Sequence, residues 1–150
     1  MVDDLRATMQ AFIRGFGLLA GDRTPCGKPL ATSDAHALMV LLGAGEPGVP
    51  QAVLAARLGV DKSTASRLVL RLTTSGHLAP APASGDARAR PVRLTAKGVR
   101  LAHEIDEASR RRFAALLEGV PKRRREHVLR ALRDVVAALD GLKIEGEDDR

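Results

Sequence analysis

A chain of 150 residues, 45% of them hydrophobic, is long enough for one domain with its own core. Its 24 Lys and Arg against 18 Asp and Glu leave a formal net charge of +6, which suits a polyanionic partner. A single cysteine excludes an intrachain disulfide, the lack of Tyr and Trp excludes aromatic platforms for single strands, and no apolar run approaches the roughly 20 residues of a membrane span.

The first predicted element covers residues 3–19, where Leu5, Met9, Phe12, Phe16 and Leu19 recur at helical spacing with Ile13 beside them. Asp3, Asp4, Arg6 and Arg14 interrupt it, so no signal peptide is expected, and a reducing cytoplasm is the expected compartment. Two glycines and two prolines between Gly21 and Pro29 break the pattern. A second helix is expected from a Ser33 cap to about Leu42, with a core face of Ala37, Leu38, Leu41 and Leu42. A loop follows over residues 43–48. A third helix runs from about Pro50 to Leu58, where Gly59 stops it, and Asp61 caps a fourth that ends near Ser75 and Gly76. His77–Ala81 and Arg90–Leu94 read as two short strands joined by the tip Pro82 to Ala89. Pro91 has no amide to donate, so it is expected to face an open sheet edge. Thr95 caps a long helix to about Leu117. Gly119 and Pro121 punctuate the chain, and a last helix spans about Pro121 to Leu142, with Val128, Leu132, Val135, Val136 and Leu139 on one stripe. The tail, residues 143–150, is polar and expected to fray.

The third and fourth helices fit a helix-turn-helix. Two short helices crossing at a tight turn need a small residue at their closest approach, here Ala55, and a turn residue free to go left-handed, here Gly59. Leu54, Leu58, Val60, Ala65, Leu68 and Leu72 supply the buried face. This leaves Lys62, Ser63, Thr64, Ser66, Arg67 and Arg71 for another surface. Ser and Thr at a helix N-terminus can reach phosphates or base edges, and Arg67 can reach a guanine with two hydrogen bonds. Lys62 and Arg71 are assigned to the phosphate backbone. The hairpin carries Asp86, Arg88 and Arg90, arginines on a thin projection of the kind a narrow minor groove receives. An ordinary exposed helix face and a solvated loop with incidental charges are the plain alternatives.

Leu54, Ala55, Leu58, Gly59, Ser63 to Arg67, Leu72, Gly76, Asp86 to Arg88 and Leu94 to Gly98 together resemble the MarR family of multiple-antibiotic-resistance regulators, over about residues 3–142. The resemblance implies a mainly α fold with a small β-wing: one domain over 1–150, with a winged helix-turn-helix at 33–95, a linking helix at 96–118 and dimerisation helices at 1–20 and 121–142. It implies a homodimeric transcriptional regulator, a repressor or activator, whose recognition helices enter successive major grooves while the wings reach minor grooves. Ala65 departs from the branched apolar residue commoner there, which predicts looser packing.

Helices as long as the last one, about 33 Å for 22 residues, carry apolar stripes that a small winged core cannot cover. A second copy is the simplest cover, and its symmetry predicts a pseudo-palindromic double-stranded operator with half-sites about 10 base pairs apart. The resemblance also implies release by a small ligand or oxidant. The candidate pocket lining is Phe12, Phe16, His36, Met39 and His103, and the candidate redox residue is Cys26, with Arg23 and Lys28 close by in sequence. Plain core and an inert thiol are the competing readings. No metal site, cofactor or catalytic arrangement is expected: His103 and Glu107 make at most half a site, and there is no Gly-rich phosphate loop or nucleophile elbow. Two rivals stand against the DNA-binding regulator. One is a winged-helix protein-interaction module, and the other is a metal or ligand sensor without specific DNA binding.

Overall fold

The computed structural model describes residues 1–45, 47–82 and 90–147, the last five of these by their backbone. Among the described residues, six α-helices and three short strands follow one another: α1 (Val2–Phe16), α2 (Thr32–Ala44), β1 (Val49–Pro50), α3 (Gln51–Leu58), α4 (Lys62–Thr74), β2 (Leu78–Pro80), β3 (Pro91–Leu94), α5 (Ala96–Glu118) and α6 (Arg125–Glu147). The chain divides into two compact units, Met1–Arg110 and Arg111–Arg150.

The first unit is built on local stop and start signals. Gly59 ends α3 in the left-handed region at φ 64°, which lets the Val60 amide donate to Ala55 O and the Gly59 amide to Ala56 O, both at 3.1 Å. These two bonds satisfy carbonyls that the helix end would otherwise leave bare. Gly76 repeats the device after α4, at φ 76°, with the His77 amide on Leu72 O at 2.8 Å. Asp61 starts α4 and accepts from the Thr64 amide at 2.8 Å. Thr95 starts α5, accepts from the Gly98 amide at 3.0 Å, and donates to Gly76 O at 2.7 Å, so one hydroxyl ties the helix start to the end of α4.

The core of this unit collects Ala37, Leu38 and Leu41 from α2, Leu54 from α3, and Leu68, Val69 and Leu72 from α4. Leu78 and Val92 join from the sheet, with Ala102 and Ile105 from α5. Leu38, Leu54 and Leu68 are wholly enclosed, and each contributes about 1.5–3 kcal/mol by leaving water. Ala65, also buried, lies on the packed side of α4.

The structure corrects several expectations. Helix α2 begins at Thr32 with Ala31 as its cap residue, so Ser33 lies inside the first turn and caps nothing. Leu42 is half-buried and packs against the core, and Ala35 joins the core face beside the residues expected there. Val49 and Pro50 form a third strand, between the expected loop and the body of α3. The antiparallel order is β1–β3–β2, which makes β3 central. Pro91 therefore does not face an open edge. It is tolerated as the first residue of β3 opposite Pro50, where neither residue has an amide to donate, and its own carbonyl accepts from the Ala81 amide at 2.9 Å. The strand expected at His77–Ala81 is shorter, at Leu78–Pro80.

In the second unit a 3₁₀ turn, Lys122–Arg124, stands between Pro121 and α6, so the last helix begins later than Pro121. Its backbone stays helical through Glu147, past the expected end at Leu142. Val128, Leu132, Val136 and Leu139 are all exposed on it, as Leu5 and Phe12 are on α1 of the first unit.

Candidate nucleic-acid interface

Helix α4 buries Ala65, Leu68, Val69 and Leu72, and that stripe fixes where every other side chain points. Lys62, Ser63, Ser66 and Arg67 are exposed, and Thr64 is half-exposed. Ser63 and Arg67 lie four residues apart, so they share one face.

The start of this helix is organised around Asp61. Its Oδ1 accepts from the Ser63 hydroxyl at 2.7 Å and the Thr64 amide at 2.8 Å, and its Oδ2 accepts from the Thr64 hydroxyl at 2.8 Å. The Thr64 hydroxyl in turn accepts from Arg67 Nη2 at 3.2 Å. These bonds, the Thr64 amide first, hold the Asp61 carboxyl far below the usual carboxylate range. The carboxylate therefore anchors three of the proposed contact residues. Asp61 is thus more than the cap expected from the sequence. The signal for more was its offset of two and three residues from Ser63 and Thr64, a spacing that commonly closes side-chain to backbone turns.

Arg71 is placed differently. Its guanidinium meets Asp34 of α2 in an ion pair, with Nη2 at 2.6 Å from Oδ1, and the Asp34 side chain is only 13% exposed. The arginine clamps α4 onto α2 one turn beyond Arg67, along the flank that meets Asp34. It lines an open cleft of about 300 Å³ with Asp34, Leu30, Leu72, His77 and Leu101. Burial first and Lys97 second lower the His77 ring below the ordinary histidine range. Lys97 also donates to Ser75 O at 2.7 Å.

On the other flank of α4, a shallower hollow of about 460 Å³ separates the helix from the base of the hairpin. Ser66, Leu70 and Thr73 form one wall, and Pro80, Arg90 and Val92 form the other. Arg90 is exposed and takes a left-handed backbone, φ 42°, as β3 begins. Asp86 and Arg88 lie outside the described residues.

The expected pocket residues are spread over three helices. Phe12 and Phe16 stack on α1 with ring centroids 5.2 Å apart, Met39 packs against the core, and His36 and His103 are exposed on α2 and α5. Neither cleft is lined by any of the five. Cys26 is half-buried, with its Sγ 3.1 Å from the Thr24 hydroxyl. Lys28, close to it in sequence, is held by Glu104 at 2.9 Å. Among the described residues no cluster of three or more His, Cys, Asp or Glu could hold a metal, and no helix is long and apolar enough to cross a membrane.

Comparison with known proteins agrees with this geometry. Residues 29–89 match the model of the MarR family, a span that holds α2, the helix-turn-helix and β2 and ends before β3. No curated protein sequence matches the chain. Among solved structures, the fold is similar to the PcaV transcriptional regulator of Streptomyces coelicolor, with a TM-score of 0.70 at 23% identity over 94% of this chain and 98% of that one. It is also similar to S. aureus MepR in its DNA complex, with a TM-score of 0.67 at 18% identity over 73% of this chain and 80% of that one. A third likeness is NadR bound to 4-hydroxyphenylacetate, with a TM-score of 0.64 at 23% identity over 91% and 89% of the two chains.

Proposed function

We propose that this chain is a MarR-family winged-helix transcriptional regulator, a homodimeric repressor that grips a pseudo-palindromic operator and lets go when a small ligand or oxidant binds. The observation that carries the DNA reading is the face of α4. Ser63, Ser66 and Arg67 stand exposed on a helix whose opposite side is fully packed, and the helix N-terminus adds its own partial positive charge. Arg67 and Ser63 are the base-reading residues. Lys62 makes phosphate contacts, and Arg88 and Arg90 serve the wing. Arg71 contributes by holding α4 at its angle to α2. This reading assigns the chain no catalytic role and a place in the cytoplasm.

The dimer follows from the apolar stripes. Leu132, Val136 and Leu139 on α6 of the second unit are about half-exposed, and so are Leu5 and Phe12 on α1 of the first; a soluble monomer rarely leaves such apolar stripes open. A second copy covers them and sets two recognition helices one helical turn apart, about 10 base pairs. The effector part is supported by two neighbours in the same fold, PcaV "in complex with its natural ligand" and NadR with 4-hydroxyphenylacetate. Phe12, Phe16, His36, Met39 and His103 remain the proposed lining, and Cys26 the proposed oxidant-sensitive residue.

Gel retardation with promoter fragments tests the DNA reading. Eight phosphate contacts per dimer give a log–log salt slope near −7, at about 0.9 per contact. Arg67→Ala should weaken the selected duplex by roughly 5- to 100-fold, equivalent to about 1–3 kcal/mol, while hardly changing random duplex. Equal affinity for selected and random duplex would refute a regulator of this kind.

A further inference from the structure

The first turn of α4 carries a hydrogen-bond pattern that says more than where the duplex sits. Around Asp61 every neighbouring group donates and the carboxylate accepts: Ser63 Oγ at 2.7 Å, the Thr64 amide at 2.8 Å and Thr64 Oγ1 at 2.8 Å. A hydroxyl has one proton and two lone pairs. Both hydroxyl protons are turned back on the carboxylate, so each side chain has only lone pairs left for an incoming group. Thr64 Oγ1 already accepts from Arg67 Nη2 at 3.2 Å. Ser63 is exposed at the same turn. The carboxylate stays ionised through the whole neutral range, so this arrangement does not lapse there.

A hydroxyl held in this way is mismatched to a phosphate oxygen, which only accepts. It suits an exocyclic amine, the donor that adenine N6 and cytosine N4 present in the major groove. Guanine O6 or thymine O4 in the same place would set acceptor against acceptor. Resting on the DNA-binding reading above, we propose that Asp61 is a positioning residue that commits Ser63 to accepting, so that the recognition helix selects adenine or cytosine over guanine or thymine at the base facing Ser63. The same carboxylate steadies Arg67 through Thr64, which couples the choice at this base to the register of the arginine.

The test uses the full chain. Duplexes are selected from a random pool with the wild type and with Ser63→Ala, and the position whose preference disappears in the variant marks the contacted base. The expected preference there is adenine or cytosine on one strand. Replacing that adenine by purine, or that cytosine by 2-pyrimidinone, deletes only the amine. The deletion should weaken wild-type binding by roughly 5- to 100-fold and leave Ser63→Ala at its own natural-duplex affinity. Asp61→Ser still offers a capping oxygen to the Thr64 amide but releases the Ser63 proton, and it should move the preference toward guanine or thymine. If that variant does not fold, as read by circular dichroism, the amine deletion in wild type and Ser63→Ala decides alone. The assignment is overturned by a wild-type preference for guanine or thymine at the marked position, by Ser63→Ala weakening all sequences equally, or by a folded Asp61→Ser with unchanged preference. In each of those outcomes duplex binding itself survives. A selection that enriches no sequence removes the DNA-binding reading and this assignment together.

Discussion

At Gly98 the backbone of α5 runs against the hairpin so closely that a methyl group there would stand 2.1 Å from the His77 carbonyl oxygen and 3.0 Å from its carbon. Both neighbours are main chain and cannot swing aside. Gly98→Ala should therefore cost about 3 kcal/mol or more, seen as a lower guanidinium midpoint with an unchanged slope. His77 has a second consequence. Its ring titrates below the ordinary value of 6.5 in the folded chain, because burial first and Lys97 second disfavour the charged form. As pH falls through that value the unfolded chain takes up a proton before the folded one does. Stability is thus complete above it and declines below it, toward the folded value. The wild-type urea midpoint should drop more between pH 7.5 and pH 5.5 than that of His77→Gln, and equal drops in the two would refute the assignment. Asp34 and Arg71 make the third residue-scale point. They are 37 positions apart in sequence and meet at 2.6 Å, so the pairing follows from the crossing of α2 and α4 rather than from any local pattern. Arg71 is accordingly a brace between helices more than a free contact.

Among elements, the helix-turn-helix was the most readable part of the chain. Its signals act within five residues: Gly59 is left-handed because only there can the Val60 amide turn back to Ala55, and Asp61 caps because its carboxylate reaches the Thr64 amide. Gly59→Ala should cost about 1 kcal/mol for the left-handed backbone, and Gly59→Asn less, since Asn tolerates that region. Equal midpoints for Gly59→Ala and wild type in chemical denaturation would count against a required turn. Strand β1 is the opposite case. Two residues have no periodicity to detect, and Val49 belongs to a strand only because Val92 arrives beside it from 43 positions away. The start of α2 went unread for a related reason. Ser33 looks like a cap, but the chain enters from Ala31, with φ −62° and ψ 143°, so the helix is already under way when Ser33 is reached.

For the whole molecule, the apolar stripe of α6 governs assembly in the proposed reading. An isolated α6 exposing Leu132, Val136 and Leu139 at about half of their surface or more is unfavourable in water, at roughly 25 cal/mol for each Å² left wet. If a second copy supplies the cover, Leu132→Glu with Val136→Glu should give a monomer in analytical ultracentrifugation at micromolar concentration. The same double variant should lose most of its affinity for a two-half-site operator while keeping its affinity for a single half-site, because the linkage of the two sites is lost and the contacts are not. A double variant that still sediments as a dimer would move the interface elsewhere. The exposure of Ser63 and Arg67 on one face of α4 is independent of that result.

Local chemistry was written plainly along the chain. Helix stops at glycine, caps at Asp61 and Thr95, the apolar stripe of α4 and the polar face it leaves over all depend on neighbours within a few residues, whose geometry any chain context would impose. Folding in three dimensions alone decided the rest: that β3 is central, that Pro91 faces Pro50, that Arg71 is drawn to Asp34, and that one carboxylate takes both hydroxyl protons beside it. Pairings of the first three kinds need segments tens of residues apart to meet. The last needs side-chain rotamers, which spacing constrains and does not choose.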